Sequence, residues 1–373
     1  MTAVDRPTFA VVTGGGTAGH VLPALAIADA LVARGHHRST IHYAGSERGI
    51  ETRLVPPSGL AMTLLPGRGI QRRLTLANLA AIGGLLVAFG RAVRLLGRLR
   101  PAVVVAVGGY ASVAVALAAV LRRIPVVVAE QNVVPGAANR LVARFARASA
   151  VSFEGTPLRR AVVTGNPVRP EISALGDGHG RAAARAALGV EGVRRVVLIT
   201  GGSLGALRLN LATMEALEQW RGRTDLAVHH VVGRRDWDRI SAMAPTDLGG
   251  LAYRAVAYED DMPTALAAAD LAVCRSGSGT CFELAAVGLP AVLVPSPVVT
   301  ADQQTRNAER LVAAGAAILV PDAELDGARL AATVDGLVAD ADVLADMRRA
   351  ALAWARPDAA DAIAALAEEH ARG

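Results

Sequence analysis

The stretch from residue 271 to residue 304, LAVCRSGSGTCFELAAVGLPAVLVPSPVVTADQQ, organises the reading of the whole chain. Leu271–Cys274 is a short apolar strand, Arg275-Ser276-Gly277-Ser278-Gly279-Thr280 a turn of small residues, and a helix carrying Glu283 follows. Gly288-Leu289-Pro290 stops that helix, Ala291–Pro295 forms a second apolar strand, and Thr300-Ala301-Asp302-Gln303-Gln304 closes the stretch in polar residues. Strand, glycine turn and helix together offer free backbone N–H groups and a positive dipole end to an anion. Glu283, one turn into the helix, is placed to accept hydrogen bonds from a pair of sugar hydroxyls, and two amides after the next strand can read further hydroxyls. Phosphate plus several hydroxyls describes a nucleotide or a nucleotide sugar. An ordinary βαβ unit with a buried turn is the other reading of these residues.

The chain has 373 residues, which suggests two domains, each with a full core. Hydrophobic content is 52% and aromatic content 3%, so the core is built from Ala, Val and Leu. All 39 basic residues are Arg, and the formal charge of +6 suits phosphates or an anionic membrane face. No nucleic-acid partner is expected, because stacking aromatics are scarce and no binding motif appears. Cys274 and Cys281 straddle the glycine turn and read as small apolar fillers. Asp5-Arg6-Pro7 leads into an apolar strand without a signal-peptide pattern, so a cytoplasmic, reducing setting is expected. Pro101 to Leu121 carries no charge over 21 residues, long enough to span a bilayer. It divides, however, into a β-branched run (Val103–Val107), a turn (Gly108-Gly109-Tyr110) and an Ala/Val/Leu helix, the pattern of a buried parallel strand feeding a helix.

Phe9–Thr13 is the first apolar strand, and Gly14-Gly15-Gly16-Thr17-Ala18-Gly19-His20 follows it directly. A helix is expected from about Val21 to Arg34, with Pro23 in its first turn and Gly35 as its stop. The run fits G-x-G-x-x-G, which in a dinucleotide site calls for an acid ending the second strand. That strand, about Thr40–Tyr43, ends instead in Ala44-Gly45-Ser46, with Glu47 late. His20 at a helix N-terminus is held neutral by the dipole and can act as a general base toward a hydroxyl; capping the turn is its alternative role. Residues 74–90 are uncharged, with Arg68, Arg72 and Arg73 before them and Arg91, Arg94, Arg98 and Arg100 after. Leu74, Leu76, Leu79, Ile82, Leu85, Leu86 and Phe89 exceed what one core-facing stripe needs. An apolar patch ringed by arginines from Arg68 to Arg100 suits docking on an anionic bilayer; a well-buried helix with a basic end is the alternative.

Pro125–Ala129 is another buried strand, with Glu130-Gln131-Asn132 at its carboxyl end, the edge where open α/β sheets bind ligands. Residues 164–170 and then 176–180 are rich in Gly and Pro and read as the interdomain linker. The second half repeats the grammar: strand Arg195–Thr200, turn Gly201-Gly202-Ser203-Leu204-Gly205-Ala206, helix from Leu207. Both halves alternate strands and helices, so the expected fold class is α/β, two doubly wound parallel sheets facing across a cleft. Tyr258-Glu259-Asp260-Asp261-Met262 forms a loop before a helix ending near Ala269; its acidic pair suits a metal, but the N-cap preference of Asp explains it more cheaply. Asp340-Ala341-Asp342 reads as surface in a polar helical tail. Met347–Arg356 is helical, Pro357 breaks it, and residues 358–370 form a last helix that packs back on the first domain.

Taken in order, these segments resemble the lipid II-forming N-acetylglucosaminyltransferases of peptidoglycan synthesis, the MurG family of GT-B glycosyltransferases. The carriers are Gly14–Pro23, Gly108-Gly109-Tyr110, Glu130-Gln131-Asn132, Gly165–Arg169, Gly201–Ala206, Asp260-Asp261-Met262, Cys274–Gly277 and Asp302-Gln303-Gln304. The resemblance covers essentially the whole chain. It implies an acceptor and membrane-binding domain over residues 1–166 with about 355–373, and a donor domain over 167–354. It implies inverting transfer of N-acetylglucosamine from UDP-GlcNAc to the C4 hydroxyl of the muramyl sugar of lipid I, without a cofactor or a bound metal. It places the enzyme peripherally on the cytoplasmic side of the inner membrane, with other cell-wall synthesis proteins as further partners. His20 is then the candidate base. Ser203 meets the UDP phosphates, Glu283 the ribose, and Arg169 and the backbone at Glu259 the base side. Gln303, Gln304 and Asn132 meet the GlcNAc hydroxyls, while Thr17, Ala18 and Gly19 line the acceptor pyrophosphate and donor sugar. Ser278, Gly279, Thr280, Cys281 and Phe282 complete the donor stretch, and Gly15, Gly16, Gly109, Tyr110 and Glu130 the acceptor side.

Some positions depart from the family pattern. Leu204 replaces a glutamine, Glu259 stands where an apolar residue is usual, Ala18 where glycine is common, and residues 278–283 match loosely. Three rivals share part of the signal: another UDP-sugar GT-B transferase such as a diacylglycerol glycosyltransferase, a dinucleotide-dependent oxidoreductase built on Gly14, Gly16 and Gly19, and a non-catalytic nucleotide-sugar-binding protein. The missing acid after the second strand speaks against the second, and the presence of His20, Glu283 and Gln304 against the third.

Overall fold

The computed structural model describes residues 7–66, 76–176, 178, 180–192, 195–202 and 205–372, with the backbone alone for 76–82 and Thr300. Arg68, Arg72, Arg73, Leu74, Ser203 and Leu204 lie outside the described residues, as do the side chains of Leu76, Leu79 and Ile82. The chain divides into two compact units, residues 1–169 with 356–373, and residues 170–355.

The first unit alternates strand and helix. Its elements are β1 (Ala10–Gly14), α1 (Ala18–Ala33), β2 (Ile41–Ser46), α2 (Glu51–Leu54), β3 (Ala61–Leu65), α3 (Leu76–Leu99) and β4 (Val103–Gly108). They continue with α4 (Tyr110–Leu121), β5 (Val126–Glu130), α5 (Ala137–Val142), β6 (Ala148–Val151) and β7 (Ala161–Val163). The strands form one parallel sheet in the order β3-β2-β1-β4-β5-β6-β7. The order reverses between β1 and β4, which makes their carboxyl ends the switch point of the sheet. Runs such as Val103–Val107 are buried on both faces, because helices cover both sides. On one face, Ala88, Ala92 and Leu96 of α3 pack with Ala114 and Ala118 of α4 and Val142 of α5. On the other, Val21, Ile27 and Leu31 of α1 pack with the chain's last helix.

The second unit carries α6 (Pro170–Ser173), α7 (Arg181–Ala187), β8 (Arg195–Thr200), α8 (Leu207–Gln219), β9 (Leu226–Val231), α9 (Trp237–Ser241), β10 (Ala252–Val256) and α10 (Met262–Ala268). Next come β11 (Leu271–Cys274), α11 (Ser278–Val287), β12 (Ala291–Leu293), α12 (Gln303–Ala313), β13 (Ala317–Leu319), α13 (Gly327–Ala339) and α14 (Ala341–Trp354). Its parallel sheet runs β10-β9-β8-β11-β12-β13, with the switch between β8 and β11. The last helix, α15 (Ala359–His370), belongs to the first unit: Ile363, Ala364 and Ala367 are buried in its core. Arg34 at the end of α1 donates to Asp361 and Glu368 of α15 at 2.8–2.9 Å.

Several boundaries differ from the sequence expectation. Helix α1 starts at Ala18 rather than about Val21, which puts His20 inside its first turn. Ala44-Gly45-Ser46 continue strand β2 instead of ending it, and β12 stops at Leu293 rather than Pro295. Helix α14 begins at Ala341, because Asp340 caps it by accepting from the amides of Asp342 and Val343 at 3.0 Å. Asp261 caps α10 by accepting from the Thr264 amide at 3.2 Å, as its residue type predicts. Pro101 to Leu121 resolves into β4 and α4, and among the described residues no helix is long and apolar enough to cross a membrane.

Candidate active site

The first cluster lies at the switch point of the first sheet. Gly14 ends β1, and the Gly15 amide donates to the Gly108 carbonyl at the end of β4 at 3.2 Å. This crossing demands glycine at position 109, where φ is +89° and a Cβ would collide with the Gly15 carbonyl. Thr17 starts helix α1 without a side-chain cap of its own, and its carbonyl accepts from the His20 and Val21 amides at 3.1 Å. Thr17 Oγ1 instead stands 3.3 Å from His20 Nδ1. The His20 ring lies close to Gly108: a Cβ there would sit 2.9 Å from His20 Cδ2 and 3.0 Å from Nε2.

Burial pushes the His20 pKa below its ordinary value, against the opposing pull of Glu130, a hydrogen bond to the Gly15 backbone, and Glu51. The imidazole is therefore neutral near pH 7, and two carboxylates stand ready to stabilise it when it takes up a proton. Tyr110 begins α4 beside Gly109, and desolvation raises its hydroxyl pKa.

Glu130 does not project toward a ligand. Its side chain is buried, with Oε1 accepting from the Asn132 amide at 2.9 Å and Oε2 from the Gly136 amide at 3.1 Å and Asn139 Nδ2 at 2.9 Å. It braces the loop after β5, and the Asn132 side-chain amide turns back toward it at 3.3 Å. Both oxygens of Glu130, expected on the acceptor side, are thus bonded within the protein, and its charge also reaches His20.

Two residues of this cluster escape sequence reasoning. Tyr43 donates its hydroxyl to the Gly14 carbonyl at 2.6 Å from beneath the turn. Glu51, on the four-residue helix α2, is fully buried and accepts from the Gly16 amide at 3.1 Å.

The second cluster lies at the switch point of the second sheet. After β8, Gly201 and Gly205 close a turn too tight for Cβ atoms, which would collide with the Ala206 amide and the Val232 carbonyl. A buried network holds this turn from below. Asn210 of α8 donates to the Val232 carbonyl at 3.0 Å and to Asp236 at 3.2 Å, and meets His230 at 3.0 Å. Burial, with His229 beside it, lowers the His230 pKa to about 3, so this histidine is a neutral structural link.

After β11 the turn is shorter than expected, because α11 already starts at Ser278 with Gly277 as N-cap. Helical phase then sorts the donor stretch. Gly279, Thr280 and Glu283 share the partly exposed face, while Cys281 and Phe282 turn into the core. Phe282 packs on Trp354 with ring centroids 4.6 Å apart. Burial raises both thiols, that of Cys274 to about 12, which fits apolar fillers. The side chains of Cys281 and Phe282 thus lie in the core, while the helix end beside them is formed by Gly277 and Ser278.

Around this turn the polar residues are mutually fixed. Ser276 Oγ donates to the Gln304 carbonyl at 2.9 Å, and Gln304 Oε1 accepts from the Ser296 amide at 2.8 Å. Gln303 opens helix α12 after Ala301 and Asp302, both left-handed at φ +52° and +50°, a strained entry of the kind found at ligand sites. Arg275 is a structural clamp rather than a ligand contact, donating to the Val294 and Pro295 carbonyls at 3.0 and 3.1 Å and pairing with Asp322 at 2.6 Å.

The unusual Glu259 finds its reason in this unit. Its side chain turns inward to His229 Nε2 at 2.8 Å and accepts from the Asp261 amide at 3.0 Å. Arg169 ends the first unit and is partly buried.

Comparison with known proteins agrees with this geometry. The family model of the glycosyltransferase family 28 N-terminal domain matches residues 10–151, and that of the family 28 C-terminal domain residues 196–363. A Nocardioides sp. protein named UDP-N-acetylglucosamine--N-acetylmuramyl-(pentapeptide) pyrophosphoryl-undecaprenol N-acetylglucosamine transferase is 44% identical, covering 96% of this chain and 97% of its own length. The protein of the same name from Desulforudis audaxviator is 39% identical over 96% of this chain and 97% of its own. The crystal structure of Acinetobacter baumannii MurG superposes with a TM-score of 0.77 at 29% identity, covering 97% of this chain and all of that one. The chain belongs to glycosyltransferase family 28 and, within it, to the MurG family of GT-B enzymes.

Proposed function

We infer that this chain transfers N-acetylglucosamine from UDP-GlcNAc to the muramyl sugar of lipid I, forming lipid II and releasing UDP. The observation that carries this reading is the likeness, over nearly the full length of both chains, to transferases of that name. In the proposed chemistry the acceptor C4 oxygen attacks C1 of the donor sugar, and the electrons of the breaking C1–O bond leave with the β-phosphate of UDP. A single displacement inverts the anomeric carbon. The hydroxyl proton passes to His20, whose neutral form burial favours. Amides of the second glycine turn and of the α11 N-terminus would meet the negative charge gathering on UDP.

Donor contacts follow the same division. Glu283, on the partly exposed face of α11, would hold the ribose hydroxyls, with Gly279 and Thr280 beside it. Gln303 and Gln304 would read the GlcNAc hydroxyls, and the backbone at Glu259 with Arg169 the base side. Ser203 would meet the phosphates. Thr17, Ala18 and Gly19 would offer first-turn amides to the acceptor pyrophosphate, with Tyr110 and Asn132 flanking them.

Docking to an anionic membrane is part of the proposal. The face of the first sheet covered by α3, α4 and α5 exposes Leu86, Val87, Leu121, Leu141 and Phe145. Arg91, Arg94, Arg98, Arg122, Arg140 and Arg144 are exposed among them. Leu85 and Phe89 pack against the core, so the patch is narrower along α3 than the sequence suggests and wider across α4 and α5. Such a surface would hold the enzyme peripherally on the cytoplasmic face, within reach of its lipid substrate and of other cell-wall synthesis proteins.

The test is UDP release from UDP-GlcNAc with and without a short-chain lipid I analogue, with UDP-glucose as control. Release that needs the analogue and prefers the N-acetylated donor is expected. Donor binding without analogue-dependent release would reopen the acceptor. In the same assay His20→Ala should lower turnover far more than donor affinity, and Glu283→Ala should weaken donor binding; unaltered values would reject those roles.

A further inference from the structure

Glu51 is a carboxylate with no access to solvent, and among the described residues no arginine pairs with it. Its two oxygens divide between two backbone amides: Oε2 accepts from Gly16 at 3.1 Å, and Oε1 from Ser46 at 2.6 Å. The surroundings are shaped to it. A Cβ on Gly15 or on Gly49 would collide with the carboxylate oxygens, and one on Gly45 would come within 2.9 Å of Glu51 Cγ. Three glycines from three segments thus make room for one acid. Tyr43, against the same group, donates its hydroxyl to Gly14 and keeps its proton, since burial, with Glu51 adding to it, drives its pKa up.

Burying a carboxylate without a cation is costly, and an apolar side chain of similar volume would stabilise the fold better. The acid therefore serves something other than packing. It sits under the turn whose next helical residues are Ala18, Gly19 and His20, and it takes the Gly16 amide out of competition for ligand anions.

We propose that Glu51 is a positioning residue for the transfer reaction: it fixes the first glycine turn from beneath and supplies negative charge toward His20, so that the base accepts the acceptor's proton. This rests on His20 being the base. The charged groups acting on His20 are Glu130, at the end of β5, and Glu51 on α2, and both favour its protonated form. Glu130 ends β5 and braces the loop after it, whereas Glu51 accepts directly from an amide of the turn that carries the histidine.

The experiment follows UDP release by the full chain against pH, with the lipid I analogue saturating, for the parent, Glu51→Gln, Glu51→Asp and His20→Gln. Glu51→Gln removes the charge and one acceptor. It should lower kcat about tenfold or more while the donor KM stays within about twofold, and should move the acid limb of the kcat profile to lower pH. Glu51→Asp keeps the charge but shortens the reach, so kcat should fall with the acid limb in place. Parental kcat in either variant, or a loss in Glu51→Gln with an unmoved limb, overturns the proposal. If Glu51→Gln does not unfold cooperatively, the Asp variant decides. Full activity in His20→Gln would overturn the base assignment and this proposal together, whereas an inactive His20→Gln beside a fully active Glu51→Gln overturns only the proposal.

Discussion

Gly108→Ala is the substitution that tests the geometry of the first cluster most directly. Gly108 sits at φ +121°, where an L side chain is strained, and its added Cβ would stand 2.9 Å from His20 Cδ2 and 3.0 Å from Nε2. Ordinary contact begins near 3.4 Å, so the imidazole must retreat by about 0.5 Å. Retreat toward Asn139 is limited, because Asn139 Nδ2 would itself be 3.4 Å from the new atom and is tied to Glu130. A displacement of about 1 Å at a reacting group costs roughly 100-fold in rate, so half of that should cost about tenfold. The backbone adds a stability cost of about 1–3 kcal/mol for a residue forced into this region. Steady-state UDP release with saturating donor and lipid I analogue gives kcat, and denaturant unfolding gives the stability. The donor KM should hold, because Glu283, Gln303 and Gln304, the main donor contacts proposed, lie in the other unit. A folded Gly108→Ala enzyme with kcat within about twofold of the parent would refute both the tight ring contact and its bearing on catalysis.

Ile363→Ala should destabilise the first unit by about 3 kcal/mol, since the side chain is 1% exposed in that core, with donor affinity unchanged; an unmoved denaturation midpoint would count against the docking of α15. Acid should weaken the fold through His42, lowered to about 4 by burial and then Arg98, and through His230, lowered to about 3. Both stay neutral in the folded chain while the unfolded chain protonates them below 6.5, so stability falls with pH between 6.5 and about 4, by about 1.4 kcal/mol per pH unit for each. Equal midpoints at pH 7 and pH 5 would refute that assignment. Leu86→Glu combined with Leu121→Glu should weaken sedimentation with phosphatidylglycerol vesicles while leaving UDP-GlcNAc binding intact; undiminished sedimentation would move the membrane surface elsewhere.

The two glycine turns were legible because each follows a β-branched strand and opens a helix, a local signal that needs no distant partner. The burial of Cys281 and Phe282 was hidden because a contiguous quotation conceals helical phase: of residues 278–283, three are partly exposed and three are buried. Glu51 was illegible for a different reason. It is one acid in a four-residue helix, 35 positions from the glycine whose amide it holds, and no periodicity or spacing announces such a pairing. Asn139 and Asn210 escaped in the same way, since each acts through backbone atoms that only the folded chain brings near. The departure at Glu259 was visible in the sequence, but its partner His229 lies on a neighbouring strand and needed the sheet order to be found.

The return of α15 also bears on how the protein is made. Residues 363–367 complete a core whose other walls, from β1 and α1, leave the ribosome more than 300 residues earlier. During synthesis that face of the first sheet therefore waits, covered in part by α1, while the whole second unit is translated. A nascent chain halted within that unit would expose Val12, Ile27 and Val105 to chaperones and proteases. Closure of the first unit thus depends on α15, which is made only after the second unit has been translated.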